Sequence, residues 1–216
     1  LRTDSCVRIS LRKLRPDGEM LRAILKIGIP AALQMAITAF SNVFVQSYIA
    51  NVNANKTYCL GGWTSYTKID QFIFLPIQSL ALAATTFVGQ NLGVGNIKRA
   101  RKGTYAAYLI ASCVTACVIT VVMILAPRLA AIFNADPEVV HYATMLLRCI
   151  TPFYMFCCVN QVFAASLRGG GLSWPPMIIM LSAFVGFRQI YLFVMSNFIS
   201  NDLIPIALSY PAGWMT

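Results

Sequence analysis

The sequence predicts an all-α, polytopic membrane protein, and three observations carry that prediction. Apolar residues make up 58% of the 216 residues and charged residues only 11%, where a soluble domain carries about 25% charged residues. Mean hydropathy is +0.68. The charges also cluster, leaving five charge-free stretches at 27–55, 71–97, 103–127, 149–167 and 169–187, which are 29, 27, 25, 19 and 19 residues long. A helix needs about 20 apolar residues to cross a hydrocarbon core of about 30 Å. Seven carboxylates and seventeen Lys plus Arg cannot solvate the surface of a compact globule of this size. A soluble enzyme, a nucleic-acid domain and a disordered tail are therefore poor readings.

Residues 1–26 read as a cytoplasmic basic arm, an inter-lobe linker in which Arg8, Arg12, Lys13 and Arg15 also suit a membrane-surface helix. The first span covers about 27–50. Its Gln34, Thr38, Ser41 or Asn42, and Gln46 recur every three or four residues and share one helix face. Lipid offers these groups no partner, so that face should turn toward protein or a wet cavity. The second span, about 71–92, adds Gln78, Thr85 and Thr86. Asp70, at its outer start, is either a cation-binding acid or an interfacial acid paired with Lys68. The third span covers about 104–126. The fourth, about 143–165, carries Asn160 and Gln161, with Arg148 at the interface.

The fifth span, about 174–198, contains Arg188. A charge at that depth usually faces the bundle interior or a cavity, which leaves substrate contact, an internal ion pair and snorkelling as its options. A sixth stretch, 203–216, is an incomplete span, since its length gives about 21 Å of helix. With no initiator Met at Leu1 either, the chain reads as a fragment of a longer membrane protein. Pro30, Pro76 and Pro152 sit within or near the start of spans and permit bending.

Basic residues orient the spans. Leaving out Arg148 and Arg188, twelve Lys plus Arg fall on the side of the N-terminal arm and of residues 98–102, against three on the other side. The positive-inside rule places the twelve in the cytoplasm. The net charge of +10 then calls for a lipid bilayer and for no nucleic acid.

Chemical motifs are missing. Seven cysteines occur at 6, 59, 113, 117, 149, 157 and 158 with no CxxC pair, and His141 is the single histidine, so neither a metal site nor a disulfide framework is expected. Gly89, Gly93 and Gly95 lack the GK[ST] ending of a phosphate loop. No catalytic constellation is found, and the chain is not read as an enzyme.

The second span and the loop after it are recognisable. Ala83-Ala84-Thr85-Thr86-Phe87-Val88-Gly89-Gln90-Asn91-Leu92-Gly93-Val94-Gly95-Asn96, followed by Arg99-Ala100 and Lys102-Gly103, resembles the multidrug and toxic compound extrusion (MATE) transporters, at a helix and cytoplasmic loop early in their second half. Gly28-Ile29-Pro30-Ala31, Tyr66-Thr67-Lys68-Ile69-Asp70, Asp136-Pro137-Glu138-Val139, Leu167-Arg168-Gly169-Gly170-Gly171 and Tyr210-Pro211-Ala212-Gly213-Trp214 agree in order. The resemblance covers about residues 24–216. It implies two six-helix bundles that export drug-like, often cationic, compounds by Na⁺ or H⁺ antiport through alternating access. This chain would be the C-terminal bundle, working with a missing N-terminal lobe in the bacterial inner membrane, with no cofactor beyond the coupling ion.

One departure matters. Some members carry an acid on the first helix of this half, yet residues 27–55 hold none, and Gln34 stands where it is expected. The first helix of this half then offers no coupling acid, which leaves Asp70 or an acid of the missing half for that role and the ion undetermined. The path candidates are Gln34, Thr38, Ser41, Asp70, Asn160, Gln161 and Arg188. Gly89, Gln90, Asn91, Gly93 and Gly95 are read as a structural loop, with positive φ expected at Gly93 and Gly95. A lipid-linked oligosaccharide flippase of the same superfamily, a membrane-embedded enzyme and a non-transporting scaffold are the rival readings.

Overall fold

A computed structural model describes residues 17–52, 56–199 and 202–215. All regular structure among these residues is helical. Five segments are long and apolar enough to cross a membrane: Gly18–Ala50, Lys56–Gly93, Ile97–Phe133, Pro137–Gly169 and Trp174–Ile199. The first three are the continuous helices α1, α2 and α3. The fourth is α4 (Pro137–Ile150) and α5 (Tyr154–Gly169), joined by a 3₁₀ turn at Thr151–Phe153 that contains Pro152. The fifth alternates α6 (Trp174–Leu181), a π-helical turn (Ser182–Phe187), α7 (Arg188–Val194) and a second π turn (Met195–Ile199). The last stretch is α8 (Leu203–Ala207) and α9 (Ser209–Met215), bent at Leu208.

The helices outrun the apolar windows that announced them. The second begins at Lys56, fifteen positions before the charge-free stretch opens at 71. Charge gaps mark the part of a helix that lipid solvates, whereas the hydrogen-bond ladder continues through any residue that tolerates helical φ and ψ. For the same reason α1 already runs from Gly18, inside the expected arm 1–26, of which residues 1–16 lie outside the described residues. Polar caps set the starts. The Asp17 carboxylate accepts from the Glu19 N–H at 3.0 Å, and Asp136 accepts from the Glu138 N–H at 2.9 Å with Pro137 next.

The interior is built from Tyr66 and Ile77 of α2, Leu146, Leu147 and Ile150 of α4, Tyr154 and Val162 of α5, Leu192 of α7 and Ile206 of α8, all fully buried. From α1 only the C-terminal half joins it, through Val45 and Ile49, while Met20, Leu21, Ile24, Ile29 and Leu33 are exposed. Where α2 and α5 touch, a Cβ on Gly169 would overlap the Thr85 carbonyl, and the Thr85 hydroxyl donates to the Ala165 carbonyl at 2.9 Å. Small residues and interhelical hydroxyl bonds replace the hydrophobic drive that lipid removes.

The glycine motif ends α2. Gly95 has φ +73, its N–H reaches the Leu92 carbonyl at 2.9 Å, and the Asn96 N–H reaches the Asn91 carbonyl at 2.8 Å. Those two bonds form a Schellman cap. Asn96 then caps α3 by accepting from the Arg99 N–H at 3.1 Å. The positive φ expected at Gly93 does not occur, because Gly93 is the last residue of α2 and the reversal falls two residues later. Asn91 is buried and donates to the Phe87 carbonyl at 2.7 Å, Gly89 lies against the Gly169 carbonyl, and Gln90 is exposed.

Candidate functional site

Polar side chains of five helices meet along the inner face of α1. Arg188 is 4% exposed. Its Nη2 donates to Ser41 Oγ at 2.6 Å and to Asn42 Oδ1 at 2.9 Å, and its guanidinium stacks on the Tyr210 ring at 4.8 Å. The Tyr210 hydroxyl donates to the same Asn42 oxygen at 3.2 Å, and Gln189 Nε2 donates to Ser41 Oγ at 2.9 Å. Every hydrogen bond of Arg188 among the described residues thus goes to a neutral group. Among the described residues the internal ion pair is not formed, and burial removes snorkelling. The π turn Ser182–Phe187 directly precedes Arg188; it shifts the helical phase, and such insertions often mark functional positions.

One end of the same face opens on a cleft of about 450 Å³ between α1, α2 and α5. Gln34, Gln78, Ser79, Gln161 and Arg168 supply its polar lining, and Met35, Leu75 and Leu82 part of its apolar walls. Gln34 donates to the Met180 sulfur at 2.7 Å and accepts from Arg168 Nη1 at 3.5 Å. Gln161 and Arg168 stand seven residues apart on α5, two helical turns, so both point into the cleft. Thr38 is half-buried on α1 between Gln34 and Ser41.

Asp70 lies apart from that cleft. It is fourteen residues along α2 from Lys56 rather than at the outer start of a span. The pairing with Lys68 is not formed. Residues two apart on a helix diverge by about 200°, and Lys68 is exposed with its ammonium 5.6 Å from the Phe133 ring centre. The Asp70 Oδ1 instead accepts from the Tyr66 hydroxyl at 3.0 Å, which lies 3.5 Å from the Tyr154 hydroxyl. Trp63 packs on Tyr66 at 5.1 Å and on Tyr210 at 5.5 Å, joining the Asp70 and Arg188 groups. Asn160 donates to the Trp214 carbonyl at 2.8 Å and lines a separate cavity of about 180 Å³ with Phe163, Ile179 and Met180.

Tyr210, Trp63, Gln189 and Arg168 were not among the sequence candidates. Arg168 left a signal in its seven-residue spacing from Gln161, and Gln189 in its place beside Arg188 within an apolar span; aromatic residues of an apolar helix carry none. No cluster of three His, Cys, Asp or Glu suited to a metal occurs among the described residues.

A bundle of apolar helices that keeps bonded arginine and amide groups between its members is the architecture of a membrane transporter lobe. The MatE family model matches residues 30–194, and the chain belongs to that family of transporters. It is 24% identical over 218 residues to the "Probable multidrug resistance protein YoeA" of Bacillus subtilis (strain 168), covering 99% of this chain and 45% of that one. To the "Probable multidrug resistance protein NorM" of Thermotoga maritima it is 26% identical over 195 residues, covering 88% and 40%. A solved MOP superfamily transporter from Pyrococcus furiosus Vc1 superposes with a TM-score of 0.88 at 21% identity, covering 98% of this chain and 47% of that one. That likeness shows the fold. The chain spans about half the length of the curated relatives it matches. As a member of a transporter family it is an integral membrane protein and not an enzyme.

Proposed function

We propose that this chain is the C-terminal lobe of a two-lobe secondary active transporter of the bacterial inner membrane. It would export drug-like compounds in exchange for Na⁺ or H⁺ by alternating access. The observation that carries the reading is the polar cleft along α1, where Gln34, Gln161 and Arg168 face open space between membrane-spanning helices. Relatives named as multidrug resistance proteins support the substrate range. Substrate sites of such transporters lie between repeats near the bilayer midplane, so the second lobe would close over this cleft. Within this lobe Asp70, held by Tyr66, is the acid offered to the coupling ion.

The test is efflux from proteoliposomes containing both lobes, with Na⁺ and H⁺ gradients imposed in turn. Export of dye should follow one of the two gradients and slow when that gradient is collapsed. Asp70→Asn should uncouple export from the gradient while dye binding persists. Export indifferent to both gradients would sink the antiport reading, and normal coupling in the Asp70 variant would move the coupling acid to the other lobe.

A further inference from the structure

We propose that the cleft selects compounds bearing an anionic oxygen group, such as a carboxylate, sulfonate or phosphate. The proposal rests on the transport reading for its context but is read from the lining itself. Cations recur along the inner side of α1. Arg22 and Lys26 line a cleft beside Trp174 at the N-terminal end of the helix, Arg168 meets Gln34, and Arg188 meets Ser41. Gln34 and Ser41 are seven residues apart, which spaces the two buried-side arginines by about 10 Å along the helix. Asp17 and Glu19 stand at the very start of α1, and beyond them no carboxylate lines either cleft among the described residues. Asp70 belongs to the Tyr66 cluster.

One detail shows donors left over for a ligand in the cleft. Arg168 makes a single side-chain hydrogen bond among the described residues, a long one of 3.5 Å to Gln34, although a guanidinium carries five N–H donors in a rigid fork. The amides of Gln34, Gln78 and Gln161 add neutral donors. A carboxylate or phosphate accepts such a set bidentately, whereas an organic cation would lie beside Arg168 with no acid to hold it.

The test uses the full-length protein in phosphatidylcholine nanodiscs, with fluorescence anisotropy of two dyes on one xanthene scaffold: anionic carboxyfluorescein and cationic rhodamine 123. Carboxyfluorescein should bind the more tightly. Arg168→Gln should weaken it about 10- to 100-fold, and Arg168→Lys should restore part of the loss. Lys68→Gln, an equal charge change on an exposed residue, should leave it unchanged. Melting temperatures exclude misfolded variants, and the dye preference of the unsubstituted protein needs no variant. Lipid phosphate offers the same chemistry, so phosphatidic acid is titrated into the discs. Arg168-dependent displacement of the dye would place a lipid headgroup at the site, and its absence a soluble anion; both keep the anion site. Rhodamine 123 binding as tightly, with either dye indifferent to Arg168→Gln, would overturn the proposal. Export of cationic dye with that indifference would spare the transport reading. Anion binding without export of any dye would do the reverse.

Discussion

Gly169 has no room for a side chain, because its Cα lies against the Thr85 carbonyl where α5 crosses α2. Gly169→Ala forces the two backbones apart, and overpacking of that kind costs about 1–3 kcal/mol; thermal unfolding in detergent should show the loss. The glycines of the turn give a sharper contrast. Gly95→Ala places a Cβ at φ +73, which costs about 1–2 kcal/mol. Gly93 is helical, with nothing within 4 Å of an added Cβ, so Gly93→Ala should be neutral or stabilise by up to about 1 kcal/mol. If the two variants melt together, the Schellman geometry is not what ends α2. Gln34 is the residue whose loss should act on substrates unequally. Gln34→Ala should raise the apparent KM for some compounds more than others, with folded protein unchanged. An equal effect that tracks protein yield would leave it a helix-to-helix contact.

At the scale of elements, α1 is the helix held least by apolar packing and most by polar contacts. Arg188 and Gln189 hold it at Ser41, Met180 and Arg168 hold it at Gln34, and apart from Pro30 its apolar burial begins at Val45. Hydrogen bonds to a charged group contribute about 1.5–3 kcal/mol, and removing the buried charge offsets part of that. Arg188→Met should therefore loosen the middle of α1 by about 1.4 kcal/mol, a tenfold change in local opening. Hydrogen exchange of residues 38–45 reads it directly. Unchanged exchange there would mean that Val45 and Ile49 alone seat the helix.

For the whole molecule, the topology makes a definite prediction. Lys56 opens α2 and Lys98 lies just past its other end, and the helix's 38 residues span about 57 Å. The excess of basic residues puts Lys98 in the cytoplasm and Lys56 outside. In a cysteine-free background, an impermeant maleimide applied outside should label Lys56→Cys and spare Lys98→Cys; the reverse pattern would invert the protein. Residues 1–216 made alone should not export dye if, as proposed, a second lobe completes the path, and robust ion-driven export by this chain would contradict the two-lobe reading.

The spans, their number and their likeness to the MATE transporters were legible in the order of residues. Lipid solvates apolar side chains locally, so each span announces itself within its own window of about 20 residues. The polar rhythm of Gln34, Thr38 and Ser41 likewise declared an inward face, because helical phase is a local quantity. Partners were another matter. The Asp70–Tyr66 pair, four apart on one helix, still lay within reach of its periodicity. That Arg188 settles on Ser41 and Asn42, with Tyr210 also bonded to Asn42, instead joins residues up to 168 positions apart. Such contacts depend on which faces abut and at what depth, and no periodicity along one helix encodes that.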